Sequence, residues 1–252
     1  MISLSGRNVV VTGAAQGVGR GIAALLSASG AQVALLDVSS DGLALAVEEL
    51  RPTGRVFGVK ADVSDPGDLE RAREEVNRLL GGPVDTLVLN AGVSERCPVS
   101  EITVEGWRRV LSVNLDGCFY TFKAFHPDLR ASPSPRKSIV LISSGSAFTG
   151  TGGGAHYATS KAGQLGLMRA LAQELGPLGI TVNAVAPRTI NVGILNSLYP
   201  TAEAQDRLIE KIPVRRLGTE ADVAEAVRFL ISDGAGYIHG TTLLVDGGRG
   251  LG

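Results

Sequence analysis

Tyr157 and Lys161 stand four residues apart in the run Tyr157-Ala158-Thr159-Ser160-Lys161. On a helix, that spacing places both side chains on one face. An ammonium beside a phenol stabilises the phenolate, so the tyrosine can exchange a proton with an alcohol or carbonyl oxygen. That is half of a dehydrogenase. The other half is a hydride carrier, and a nicotinamide dinucleotide is held by a glycine-rich turn joining a strand to a helix.

Such a turn lies near the N-terminus, at Thr12-Gly13-Ala14-Ala15-Gln16-Gly17-Val18-Gly19. Its glycines allow a tight bend and close approach of a phosphate, which the following helix N-terminus attracts. The spacing is Gly-x-x-x-Gly-x-Gly, not the Gly-x-Gly-x-x-Gly of larger dehydrogenases. Gly13, Gln16, Gly17, Val18 and Gly19 are therefore candidate dinucleotide contacts. Asp37 ends the next apolar run, where an acid can bind both adenosine ribose hydroxyls and repel a 2′-phosphate. Neither Gln16 nor Val38 supplies a cation to offset that repulsion, so NAD is favoured over NADP. Asp62-Val63 is expected at the adenine edge, and Asn90-Ala91-Gly92 lets the chain pass close to the cofactor.

Short apolar runs at 8–11, 33–36, 55–60, 86–89, 138–142, 181–185 and 242–245 read as strands. Helical patterns fill 17–29, 41–50, 104–130, 157–175 and 219–231. Asp65-Pro66 opens a further helix with an N-cap and a first-turn proline. Thr219 and Asp222 form a capping-box pattern. Strands apolar throughout and separated by helices imply an α/β fold, a doubly wound, Rossmann-type parallel sheet of seven strands with helices on both faces. Ligands of such a sheet bind beyond the C-terminal strand ends. With no linker or repeat, residues 1–252 read as a single domain. The proline-rich stretch 131–135 is a surface loop.

The chain has 252 residues, 44% apolar and 19% charged, which is globular composition. Its 24 basic and 25 acidic residues give no electrostatic platform for nucleic acid or anionic lipid. Cys97 and Cys118 form neither a disulfide framework nor a metal-ligand cluster, and both read as buried reduced thiols. No metal is expected. With no signal peptide and no apolar run of membrane-spanning length, a cytoplasmic protein is expected.

Taken in order, these motifs resemble the short-chain dehydrogenase/reductase family, in its short single-domain branch. The resemblance covers nearly the whole chain. It rests on Thr12 to Gly19, Asn90 to Gly92, Asn114 in Ser112-Val113-Asn114, the pair Ser143-Ser144, and Tyr157 with Lys161. Tyr237-Ile238-His239-Gly240 and Val245-Asp246-Gly247-Gly248 close the pattern. It implies a catalytic tetrad of Asn114, Ser144, Tyr157 and Lys161. Tyr157 would move the proton. Lys161 would stabilise the phenolate and hold the nicotinamide ribose. Ser144, preferred over Ser143 and Ser146, would hydrogen-bond the substrate oxygen, and Asn114 would anchor a proton-relaying water. The implied reaction interconverts a secondary alcohol and a ketone, and the implied assembly is a homotetramer. A non-catalytic dinucleotide-binding regulator on the same fold is the alternative.

The segment Ala186-Pro187-Arg188-Thr189-Ile190-Asn191-Val192 departs from the family's pattern, with Arg188 for a Gly and Val192 for a Thr. Thr189 and Asn191 are the candidates to compensate for the Thr. Pro187 and the backbone of Ile190 remain candidate cofactor contacts. Residues 188–215 read as a substrate lid, made partly apolar by Leu195, Leu198 and Tyr199. Gly150 to Gly154, and Asn90 to Cys97 with Ser94, Glu95 and Arg96, read as further walls. His156 reads as pocket rim or surface. Arg188 reads as structural or surface, with an anionic substrate group as its other reading.

Overall fold

The computed structural model describes residues 2–191 and 201–251, with the side chains of Ala202 and Leu251 excepted. Seven strands form one parallel sheet: β1 Asn8–Thr12, β2 Gln32–Asp37, β3 Val56–Lys60, β4 Thr86–Leu89, β5 Lys137–Ile142, β6 Ile180–Pro187 and β7 Thr242–Val245. Their order is β3-β2-β1-β4-β5-β6-β7. The doubly wound sheet expected from the continuous apolar runs is present, with β4 and β7 on their expected bounds and every other strand end within two residues of its own.

Period-two geometry explains why the strands are apolar on every residue. Val10, Leu87, Leu89, Ile139, Leu141 and Val182 face one core layer. That layer is closed by α3 (Pro66–Leu80), α5 (Gly117–Ala131) and α7 (Gly154–Leu175). Val9, Val11, Val88, Val140, Ile142 and Val185 face the other. It is closed by α1 (Gly17–Ala28), α2 (Ser40–Leu50) and, late in the chain, a helix over Glu220–Ile231.

Helix starts follow local chemistry. Asp65 accepts from the N–H groups of Gly67 and Asp68, and Pro66 occupies the first turn. Thr219 and Asp222 make the reciprocal capping box before Glu220–Ile231. The Arg216 guanidinium beside Asp222, donating at 2.7 Å from two nitrogens, holds that carboxyl well below the usual range.

The region 104–130 departs from expectation. It is not one α-helix but α4 (Val104–Leu111), a π-helical turn over Ser112–Asp116, and α5. Such turns concentrate at functional sites. Ser146–Thr149 adds a short helix, α6, before α7, and Ala202–Glu210 forms α8; Glu220–Ile231 is then α9. Of the proposed lid, Val192, Leu195, Leu198 and Tyr199 lie outside the described residues.

Cys118 is buried, as expected, but Cys97 is partly exposed. Burial pushes the Cys118 thiol up to about 11, against the opposing effects of the Lys161 charge and the Gln164 hydrogen bond. At neutral pH it therefore holds its proton and is a poor nucleophile. Iodoacetamide on the native protein is expected to label Cys97 and spare Cys118. Peptide mapping before and after denaturation checks this, and native labelling of Cys118 would contradict the packing.

Candidate active site

The sheet reverses direction of growth between β1 and β4, its topological switch point. Register aligns the C-terminal ends there and onwards: Val11 with Val88, Leu89 with Leu141, Ile142 with Val185, Pro187 with Val245. Everything the sequence marks as chemical emerges from that edge.

The glycine turn is strapped to β4. Asn90 Nδ2 donates to the carbonyl oxygens of Thr12 at 2.9 Å and Gly13 at 3.0 Å. Thr12 Oγ1 accepts from the N–H groups of Asn90 and Ala91, both at 3.0 Å. Gly13 has φ +63°, and a Cβ there would lie 2.7 Å from the Ala91 Cα. A Cβ on Gly19 would overlap the Gly13 carbonyl oxygen and lie 2.5 Å from Asn90 Nδ2. Both glycines are required by this close approach. Ser39, Asp65, Thr103 and Thr219 cap their helices with side-chain oxygens. The α1 N-terminus has no side-chain cap from Gln16, which leaves the N–H groups at Gly17 and Val18 for an anion.

Asp37 lies at the end of β2, where Oδ2 accepts from Ala15 N at 3.1 Å and Oδ1 from Ser39 N at 3.0 Å. The acid is thereby fixed at the rim of the glycine turn. The Ala61 N–H donates to the Asp37 carbonyl, which brings Asp62 alongside. Asp62 Oδ1 accepts from Ser64 N and Oγ, while Val63 is buried beneath Gly117. At the far end, the Asn191 N–H donates to Gly218 O and the Gly218 N–H to Thr189 O. This bridge brackets Ile190, so its own N–H and C=O point away from Gly218. An uncapped helix end, an acid at β2, a glycine cradle and a free peptide edge at Ile190 are the parts a nicotinamide dinucleotide needs, and the residues present fit that group.

Between them lies a cavity of about 560 Å³. Ser144, Tyr157, Lys161, Asn90, Gly92, Val18, Pro187 and Ile190 line it together. Lys161 is 4% exposed, its Nζ donating to the Ile142 carbonyl at 2.8 Å and lying 5.7 Å from the centre of the Tyr157 ring. The ring packs over Gly153, where φ is +74° and a Cβ would come within 2.5 Å of it. Ser143 also lines the cavity, and its hydroxyl donates to the Lys161 carbonyl at 2.8 Å, which ties β5 to α7. Ser144 Oγ lies in the cavity wall, 3.2 Å from Ser146 Oγ, whose own proton goes to Thr151 O at 2.7 Å. All three serines line the cavity; the Ser143 and Ser146 protons go to backbone carbonyls, and the Ser144 proton goes to Ser146 Oγ.

Asn114 is fully buried in the π turn. Its Oδ1 accepts from Val93 N at 2.8 Å, and its Nδ2 donates to Val93 O and Ser160 Oγ, each at 3.0 Å. Its backbone carbonyl accepts from Gln164 Nε2 at 2.6 Å. Asn114 thus braces the chain after Gly92 against α7, a role its place in the sequence did not show. His156 corrects the sequence reading: it is 1% exposed, not rim or surface, and its Nδ1 accepts from Tyr157 N at 3.0 Å. Packing under Gly154 decides that, which helix-face geometry alone could not.

Arg188 lines the cavity with its stem against Gly145, where a Cβ would meet it at 2.9 Å, and donates to Thr151 Oγ1 at 3.3 Å. The Thr189 hydroxyl is taken by Arg249, a cavity residue that sequence reasoning missed because it comes from the turn after β7. Thr189 itself has φ +59°. A second cavity, about 460 Å³, lies at the opposite edge of the sheet. There Arg7 pairs with Asp85 at 2.6 Å, and no candidate catalytic residue is near.

Among the described residues no helix is long and apolar enough to cross a membrane, and no cluster of metal-ligating side chains occurs.

Residues 13–249 match a family profile described as enoyl-(acyl carrier protein) reductase. The chain is 37% identical over 248 residues to 3-oxoacyl-[acyl-carrier-protein] reductase FabG of Escherichia coli K12, covering 98% of each. It is 38% identical over 250 residues to the corresponding reductase MabA of Mycobacterium tuberculosis H37Rv, covering 98% of this chain and 94% of that one. The fold superimposes on a short-chain dehydrogenase/reductase structure from Brucella melitensis, titled glucose/ribitol dehydrogenase, with TM-score 0.91, 34% identity and 98% of both chains covered. The ordered motifs, the sheet and these matches agree: the chain belongs to the short-chain dehydrogenase/reductase family of nicotinamide-dependent oxidoreductases.

Proposed function

We propose that this protein is an NAD-dependent dehydrogenase/reductase that interconverts a secondary alcohol and a ketone. The observation that carries the reading is the convergence of Ser144, Tyr157 and Lys161 on one cavity whose other wall is Ile190 and the Asn90–Gly92 turn. When bound, the nicotinamide supplies or accepts the hydride. Tyr157 gives the proton to the carbonyl oxygen in reduction and takes it in oxidation. Lys161 stabilises the phenolate from below the ring and holds the nicotinamide ribose. Ser144 donates to the substrate oxygen as charge develops there. Asn114 keeps Val93 and Ser160 in place around the lysine and stands beside the proposed relay to solvent. Pro187 and the Ile190 peptide hold the carboxamide, and Gly13 through Gly19 with Gln16 and Val18 hold the pyrophosphate. Asp62 and Val63 border the adenine.

The panel that tests this is NADH- and NADPH-linked turnover across secondary alcohols and ketones. No turnover with either cofactor would overturn the reading. Asp37 sets the cofactor choice, because its carboxylate stands where a 2′-phosphate would lie. The nearby Arg20 is paired with Glu49 at 2.8 Å, and Val38 is exposed and uncharged. Asp37→Ala is expected to raise the NADPH-to-NADH ratio of kcat/KM by about 10- to 100-fold, the loss of one close charge conflict worth roughly 1.4–3 kcal/mol. A wild-type preference for NADPH would overturn the NAD assignment.

The reading extends to a cytoplasmic homotetramer of single-domain subunits, each with residues 188–215 closing over a small-molecule substrate and with no nucleic-acid or membrane partner. The assembly is built from the long helices carrying Asn114 and Tyr157 and from the C-terminal strand; exposed Trp107, Phe119, Leu243 and Leu244 support it. Light scattering is expected to give four copies, and a monomer would refute it.

A further inference from the structure

The turn after β7, Val245-Asp246-Gly247-Gly248-Arg249, carries none of the groups that move the proton or bind the phosphates. Its shape is nevertheless tightly specified. Asp246 accepts through its carboxylate from the N–H groups of Gly248 at 2.9 Å and Gly250 at 2.8 Å, and through its carbonyl from Arg249 N at 3.2 Å. Gly247 and Gly248 have φ +63° and +85°. A Cβ on Gly247 would come within 2.7 Å of both Val214 and Ile212, and one on Gly248 within 3.1 Å of Pro213. The Val214 N–H donates to the Gly247 carbonyl at 3.2 Å. Val245 itself pairs with Pro187, which fixes where the turn stands beside β6. Arg249 therefore extends from a well-anchored base.

From that base the part-buried Arg249 Nη1 donates to the Thr189 hydroxyl. Thr189 has φ +59°, a left-handed conformation that is an outlier for a β-branched side chain. Among the described residues, only Thr189 and Arg215 combine a positive φ with a side chain. Such a conformation persists only where its surroundings over-determine it. Three contacts do so here. The Arg188 N–H donates to the Val245 carbonyl at 3.0 Å, and the Gly218 N–H to the Thr189 carbonyl at 3.1 Å. Both are backbone bonds, which depend on no particular side chain. The third, from Arg249, depends on the two side chains alone. The turn at Thr189 sets the direction in which the Ile190 peptide leaves β6. Thr189, Ile190 and Arg249 line the cavity together with Tyr157.

We propose that Arg249 is a positioning residue for the nicotinamide. By clamping the Thr189 hydroxyl it keeps the left-handed turn closed, and so aims the Ile190 peptide at the carboxamide. It acts through Thr189 and does not touch the reacting atoms. This rests on the dinucleotide reading of the site.

The test is calorimetric titration with NADH and with ADP-ribose, which lacks only the nicotinamide. Arg249→Met and Thr189→Val each remove one partner of the clamp and keep a side chain of similar length or shape. Each is expected to weaken NADH binding by about tenfold, the scale of one hydrogen bond to a charged group. ADP-ribose affinity should stay within about twofold of wild type, which also shows that the glycine turn is still folded. The double variant should bind NADH within about twofold of either single one, because the same bond is lost only once. Thr189→Ser, which keeps the hydroxyl, should retain most of the affinity. Equal weakening of NADH and ADP-ribose, an effect of Arg249→Met with Thr189→Val silent, or silence of both would overturn the role. If the wild type takes NADPH, that cofactor and 2′-phospho-ADP-ribose replace the pair. A wild type that binds neither NADH nor NADPH would overturn the dinucleotide reading, and this role with it.

Discussion

Tyr157→Phe is expected to lower kcat by at least about 10³-fold, within the usual range for loss of a positioned proton donor, while NADH affinity stays within about threefold, under 1 kcal/mol. The reason is the economy of the change. The ring remains packed over Gly153, and His156 still accepts from the backbone at that position. Only the hydroxyl is removed. Lys161 Nζ keeps its hydrogen bond to the Ile142 carbonyl, so the floor of the cavity is not rebuilt. Its ammonium stays 5.7 Å from the ring centre, and the Phe variant leaves it no phenolic oxygen to act on. Steady-state turnover and a fluorescence titration with NADH check the two halves separately. Unchanged turnover would remove Tyr157 from the mechanism. Lost NADH binding would show that the side chain is a cofactor contact first.

Gly19→Ala is expected to weaken dinucleotide binding by about 100-fold or more, which is roughly 2.7 kcal/mol, and to lower the melting temperature by about 5–10 °C. A methyl at that position overlaps the Gly13 carbonyl oxygen and crowds Asn90 Nδ2 at 2.5 Å. Neither neighbour is the far end of a flexible chain. Gly13 is held by its φ of +63° and by its N–H to the Leu36 carbonyl. Asn90 is held by its two bonds to the turn. The turn must open, and the uncapped α1 N-terminus moves with it. Overpacking against fixed backbone costs about 1–3 kcal/mol, occasionally more. Gly166→Ala in α7 is the control. Nothing lies within 4 Å of its added methyl, so a gain of about 0.5–1 kcal/mol from better helix propensity is expected. Calorimetric titration and thermal melting on both variants distinguish a local clash from a general intolerance of glycine replacement.

Much of this site was legible because its parts are local. The glycine turn, the acid at the end of β2 and the Tyr157–Lys161 spacing each occupy one short stretch, and each emerges from the same sheet edge once strands 1 and 4 are neighbours. The Asp65 and Thr219 caps were legible for the same reason, since a cap is a bond between residues two or three apart. The stretch 104–130 was not. Its residues suit a continuous helix, yet Ser112–Asp116 widens into a π turn. That turn carries Asn114, which is bonded to Val93, to Ser160 and, through its carbonyl, to Gln164. These partners are far away in sequence. No periodicity in the helix itself reports them.

His156 and Arg249 show the same division. A position on a helix face does not say what covers that face, and Gly154 with the Glu95 carbonyl covers His156. Arg249 follows a glycine pair near the end of the chain, where nothing nearby marks it as part of the site. It reaches the cavity only because β7 pairs with β6, placing the turn after Val245 beside Pro187 and Thr189. The amino-acid sequence by itself determined the α/β class, the dinucleotide turn and the proton-transfer pair, because each depends on backbone propensity or on neighbours within a helix turn. The tertiary structure alone decided how Asn114 is used, what covers His156, and that three arginines line the cavity beside Tyr157. Those depend on the parallel register and on burial, which bring together segments that local spacing cannot relate.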